Sequence, residues 1–256
     1  MLRNTFIHIP GVGRRTELSL WREQILSWDD YLNDFHRVRL PGRKKDKIAA
    51  YIMDSRYHLA RRNHRFFVQD FPKREIWRVY PEFKDSVAFL DIETTGLNIT
   101  DEVTMVGVYD GSRVKTFVKG INLDEVEREL SKYSLLVTYN GACFDLPFLK
   151  YHFCNVRLDQ LHIDLRYPLK RLGYSGGLKQ IERSLDILRS EETKNLSGFD
   201  AVRLWREYQR GSNESLKLLT EYNSEDIINL KKLMEFLYSR LKQELFGAFA
   251  AADKKG

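Results

Sequence analysis

Residues 87–98 read VAFLDIETTGLN, an apolar run that passes without interruption through two acids, Asp91 and Glu93. Its composition and length are those of a buried strand. Side chains at i and i+2 of a strand share a face, so the two acids point the same way. At about 4 Å and an effective dielectric near 20, two carboxylates repel by roughly 4 kcal/mol unless a cation lies between them. The stretch is therefore either a defect of pattern or half of a metal site.

Working outward, EVTMVGVYD (102–110) and RVKTFVKG (113–120) read as further strands, with DGS a hairpin turn between them. LDEVERELSKY is helical by period, SLLVTYN (134–140) is a strand, DLPFLKYHF opens a helix, and LHIDL (161–165) makes a fifth strand. From GLKQIERSLDI through AVRLWREYQ to the long segment 213–241, the pattern is helical. Three successive strands followed by strands alternating with helices predict an α/β fold, a mixed sheet flanked by helices. Pro81 and the polar run in YPEFKDS (80–86) mark a boundary. Three regions result: a basic, mainly helical N-terminal region over 1–84, the α/β domain over 85–241, and a flexible tail over 242–256.

Composition narrows the class. With 43% hydrophobic and 30% charged residues, no segment is apolar long enough to span a bilayer, so no membrane partner is expected. The first residues lack a secretory h-region, and a cytoplasmic location is expected. Cys143 and Cys154 lack CxxC spacing and read as core residues or spectators. Lys and Arg outnumber Asp and Glu by 42 to 36. Between His36 and Arg78, bases including Arg61 and Arg62 interleave with Tyr51, Tyr57, Phe66, Phe67 and Trp77. That mixture suits nucleic-acid binding, with a solvated helical face over core aromatics as the alternative.

Hard divalent ions need more oxygens than Asp91 and Glu93 supply. Asp145, in NGACFD (140–145), sits just past a strand and opens a helix, at the rim where open α/β sheets bind ligands. Tyr222 and Asp226, in YNSED, are four apart on one helix face, and Leu219, Ile227 and Leu230 form the stripe that would dock that helix on the sheet. Taken singly, Asp145 could be a helix cap and the Tyr222–Asp226 pair a surface contact.

In order, the three segments resemble the motifs of the DEDD superfamily of 3′ to 5′ exonucleases, which have a ribonuclease H-like fold. The intervening sequence looks most like the YprB-type branch. DIETTGL is similar to DxExTGL, Asn140 to Asp145 to the second motif, and Tyr222 to Asp226 to the tyrosine form of the third. Glu221 excludes the histidine form. The resemblance, over about residues 85–241, implies that Asp91, Glu93, Asp145 and Asp226 hold two divalent ions, Mg²⁺ or Mn²⁺. It implies further that Tyr222 orients the nucleophilic water. Backbone at Thr94, Thr95, Gly96 and Leu97 would meet the terminal nucleotide, Leu97 would wedge its base, and Asn140 and Phe144 would line the subsite. Asp164 would support the edge of the site without ligating.

Two extensions remain. HIPGVGRR precedes a run with Leu18, Trp21, Ile25, Trp28 and Leu32 in helical register, reminiscent of a helix-hairpin-helix module, with a packing helix as the alternative. Gln243, Phe246 and Phe249 loosely match a sliding-clamp-binding peptide. The resemblance implies an exonuclease acting on single-stranded DNA or RNA. A ribonuclease H-like endonuclease and a non-catalytic nucleic-acid-binding module are the rival readings.

Overall fold

The apolar run beginning at Val87 is strand β1 (Val87–Thr94), the middle strand of a five-stranded sheet. The computed structural model describes residues 1–253, with side chains as far as Gly247. Strands β2 (Val103–Tyr109) and β3 (Val114–Val118) follow antiparallel to it, and β4 (Leu135–Thr138) pairs parallel on its other side. With β5 (Leu161–Asp164) the order is β3-β2-β1-β4-β5. This is the mixed α/β sheet that the order of elements predicts. Asp110 closes the β2–β3 hairpin, its carboxylate accepting from the Ser112 and Arg113 amides at 2.8 and 2.7 Å while Gly111 takes φ +95°. No helix among the described residues is long and apolar enough to cross a membrane.

The chain divides into two compact units. One comprises residues 1–84, 159–161 and the chain from Tyr238 onward; the other comprises 85–158 and 162–237.

In the first unit lie α1 (Arg14–Arg22), α2 (Trp28–Asn33), α3 (Gly42–Ala60), α4 (Arg65–Asp70) and α5 (Tyr80–Phe83). The single helix expected through Trp28 is thus two. Gln24 takes φ +63°, ending α1, and Ser27 caps α2 by accepting from the Asp30 amide at 3.1 Å. Hydrophobic spacing survives the break, so periodicity alone could not show it. Trp21, Trp28, Phe67 and Trp77 are core residues, and Arg78 is buried beside them. Its guanidinium pairs with fully buried Glu17 at 2.8 Å, and Thr5 and the Phe6 amide donate to that carboxylate. Part of the basic, aromatic segment is therefore core, whereas Arg61 and Arg62 are exposed, Arg61 lying 3.9 Å from the Tyr57 ring centroid. Pro81 does not interrupt the chain: it sits in the first turn of α5, where a missing N–H costs no helical bond.

The second unit adds α6 (Val126–Leu130), α7 (Asp145–His152), α8 (Arg166–Arg171), α9 (Leu178–Ser184), α10 (Gly198–Gln209) and the part of α11 (Asn213–Asp253) that precedes Tyr238. Even positions of β1, Ala88, Leu90 and Ile92, join Val126, Leu130, Phe148 and Leu149 in one core layer. On the opposite face, Met105 and Val118 pack with Leu204 and Trp205 of α10 and Leu219 and Tyr222 of α11. Helices cover both faces. The end of α11, from Tyr238 onward, belongs to the first unit and does not yield to a tail at 242: Leu241 and Leu245 are buried, and Phe246 stacks on Trp21 of the same unit. Phe249 lies outside the residues whose side chains are described. Cys143 and Cys154 are free and exposed, not core.

Candidate active site

β1 delivers Asp91 and Glu93 to the face covered by α11, because Leu90 and Ile92 belong to the other layer. The β1–β2 register shifts between Glu93 and Thr94, at the end of the acidic pair. Bulges of this kind re-aim side chains beside functional sites. Asp101 then organises the following loop, accepting from the Asn98 amide at 2.7 Å and occupying the space that a Cβ on Gly96 would need. Leu97 is left 79% exposed at its tip.

Tyr222, Asn223 and Asp226 come from α11. Asn223, fully buried, donates to the Asp91 carboxylate at 3.0 Å. Gly107 pairs with Asp91 across the ladder, and a Cβ there would come within 1.9 Å of Asn223 Oδ1. Glycine on β2 is what lets the helix approach. Asp91, Glu93 and Asp226 consequently place carboxylate oxygens within 4.8 Å of one another.

Asp145 opens α7 and is 3% exposed. It stands outside that triad, yet its charge reaches both Asp91 and Glu93. The loop before it is held by Asp164, which accepts from the Asn140 amide at 2.8 Å and the Ala142 amide at 3.1 Å. Asn140 takes φ +66° there and its side-chain oxygen accepts from Arg166, so it does not join the cleft described below. Gly141 packs where a Cβ would strike the Thr138 hydroxyl at 2.3 Å.

Burial, and then the neighbouring carboxylates, drive Asp91 and Glu93 well above the ordinary acid range. Burial pushes Asp145 up to about 7 and Asp226 to about 6, the latter against the pull of Arg189. The Tyr222 phenol is raised by burial and by Asp226, so it stays protonated. Buried carboxylates that suppress one another's ionisation form an oxygen donor set suited to hard divalent cations.

Two further residues belong to this centre without a sequence signal. Arg189, its side chain 4% exposed, donates to Glu182 at 2.6 and 2.7 Å and to Asp226. Lys179 places its ammonium 4.3 Å from the Tyr222 ring centroid. Asp91, Glu93 and Asp226, but not Asp145, open into a cleft of about 1220 Å³ lined by Thr94 to Leu97, Phe144, Lys179 and residues of α10. Thus Asp91, Glu93, Asp226, Tyr222, Thr94, Thr95, Gly96, Leu97 and Phe144 meet at one cleft. Arg61 and Arg62 belong to the first unit.

Two acids of the central strand, Asp91 and Glu93, and Asp226 from α11 form a cluster of the kind that could hold a divalent metal ion. Residues 88–238 match the family RNase_H_2 of the RNase_H superfamily, and the chain belongs to that family. A solved structure of the family B DNA polymerase from the hyperthermophilic archaeon Pyrobaculum calidifontis is similar, at 19% identity and a TM-score of 0.46. That likeness covers 59% of this chain and 24% of the polymerase. No curated protein matches the chain. Family membership supports a nucleic-acid hydrolase that uses divalent metal, and Asp91, Glu93 and Asp226 could hold such an ion.

Proposed function

We propose that the protein is a 3′ to 5′ exonuclease of the tyrosine-type DEDD class, YprB-like in its second unit, acting on single-stranded DNA or RNA. The observation that carries this reading is the convergence of Asp91, Glu93 and Asp226 within 4.8 Å, beside buried Asp145 and Tyr222. In this reading residues 85–241 are the catalytic domain. The four acids would hold two divalent ions, Mg²⁺ or Mn²⁺, which when bound supply charge stabilisation to the attacking and leaving oxygens at phosphorus.

The chain's own groups do the rest. Tyr222, kept as a phenol, orients the attacking water by hydrogen bond. The amides of Thr94 to Leu97 receive the terminal nucleotide, Leu97 wedges against its base, and Phe144 closes the subsite wall. Asn140 contributes through the loop that it starts, and Arg61 and Arg62 serve as a separate strand-binding element.

Matched 5′-labelled single-stranded DNA and RNA, incubated with Mn²⁺ or Mg²⁺, test the reading. The expected result is a ladder shortening from the 3′ end, absent with EDTA and in Asp91→Ala and Asp226→Asn. Internal fragments would establish an endonuclease instead. Tight binding without products would leave a binding module.

A further inference from the structure

The cleft continues from the acids along α10, where Phe199, Val202, Arg203, Arg206 and Arg210 line it. Those positions recur at helical spacing and form one face. Ala201, Leu204 and Trp205, from the opposite face, are each only 3% exposed and fix the helix in the core. α10 thus presents a whole stripe to the cleft, and that stripe has a distinctive chemistry.

Phe199 is 86% exposed, an aromatic ring that contributes little to the protein's own packing. Arg206 and Arg210 follow two and three turns along, and Arg183 and Lys194 line the same cleft. Arg203 is braced by Glu207 at 2.7 Å and by Asp200. Glu207 is the one acid of this stretch among the cleft-lining residues, so the wall is cationic where the floor at Asp91, Glu93 and Asp226 is anionic. From Phe199 to Arg210, which caps the C-terminus of α10, the span is about 16 Å at 1.5 Å per residue. An exposed ring followed by spaced guanidinium groups matches a strand whose bases stack and whose phosphates are neutralised. A plain polyanion would use the arginines and leave Phe199 idle.

We propose that α10 is the track for the single strand entering the acidic centre, with Phe199 stacking on a base and Arg206 and Arg210 meeting successive phosphates. The inference rests on the reading of that centre as a phosphodiesterase, and two separate measurements keep the two apart. Turnover of the p-nitrophenyl ester of thymidine 5′-monophosphate by the parent protein with Mn²⁺ reads the centre by itself. Anisotropy of fluorescein-labelled oligothymidylate and oligouridylate in EDTA, over a range of salt, reads the track whether or not the ester is cleaved.

Arg206→Gln with Arg210→Gln is expected to lower the magnitude of the log–log salt slope by about 0.7 per lost contact, near 1.4 in all. Arg206→Lys with Arg210→Lys should keep the parental slope. Phe199→Ala should weaken binding roughly 5- to 100-fold without changing the slope. Parental affinity and slope in both the glutamine and the alanine variants would overturn the track. Loss confined to the arginine variants would also overturn it, reassigning the face to a general polyanion.

Discussion

At the scale of single residues, the centre depends on charges that come from unrelated places in the chain. Asp91 and Glu93 stand out in the sequence because alternating acids in an apolar strand have no easy structural use, whereas Asp145 and Asp226, each readable as a cap or a surface pair, are joined to them only by the resemblance of three segments to the DEDD motifs. Arg189 is not legible: it lies between α9 and α10 in a stretch with neither period nor motif. Glu182, which it neutralises, looks like the solvent side of a short helix yet is 1% exposed and also accepts from Asn229 at 3.0 Å. Replacing Arg189 by Met strips a buried carboxylate of its cation, and a loss of about 3–5 kcal/mol in urea denaturation is expected. Adding Glu182→Gln should recover much of it; a single variant as stable as the parent would dismiss the pair. Tyr222→Phe removes only the hydroxyl proposed to orient the attacking water, so turnover should fall by up to about 100-fold. An unchanged rate would take Tyr222 out of the chemistry.

At the scale of elements, the site exists because α11 lies against β1 and β2 at a glycine. Gly107→Ala sets a methyl group against Asn223 and, at 3.2 Å, against Ile227. Overpacking of this kind costs about 1–3 kcal/mol. Displacement of Asn223 should also loosen Asp91, so calorimetric titration with Mn²⁺ is expected to show weaker binding; parental stability and affinity would mean that the helix shifts freely. All five strands and the docking stripe of α11 were legible, since strand alternation and helical period are local properties of sequence. The break at Gln24 was not, because Trp21, Ile25 and Trp28 keep helical spacing across it. Nor was the continuation of α11 past 242, where a tail is expected and Leu245 is buried.

At the scale of the whole molecule, each unit carries its own buried polar feature. In the first, His8 is enclosed by Trp28, Phe67 and Phe71 and pairs with Ser55 at 3.1 Å. Burial, then Arg78, holds its pKa near 3, far below the usual histidine value. The unfolded chain therefore binds a proton that the folded chain refuses, and stability present above pH 6.5 is lost as the pH falls toward 3. The carboxylates of the second unit, raised to about 6 and 7, titrate in the same range with the opposite sign but are common to parent and variant, so the melting temperature of the parent minus that of His8→Phe should fall between pH 6.5 and 5. Equal slopes would place the acid sensitivity elsewhere. In the second unit, the bond from Asn223 to Asp91 joins positions 132 residues apart. Contacts so distant form late, since a long loop must close before they bring any gain. On the ribosome, the strand bearing Asp91 and Glu93 is synthesised long before the helix that completes the centre. Order of synthesis therefore withholds the assembled centre until the last helix is made: a half-made chain carries Asp91 and Glu93 without the Asn223 and Asp226 that complete the cluster.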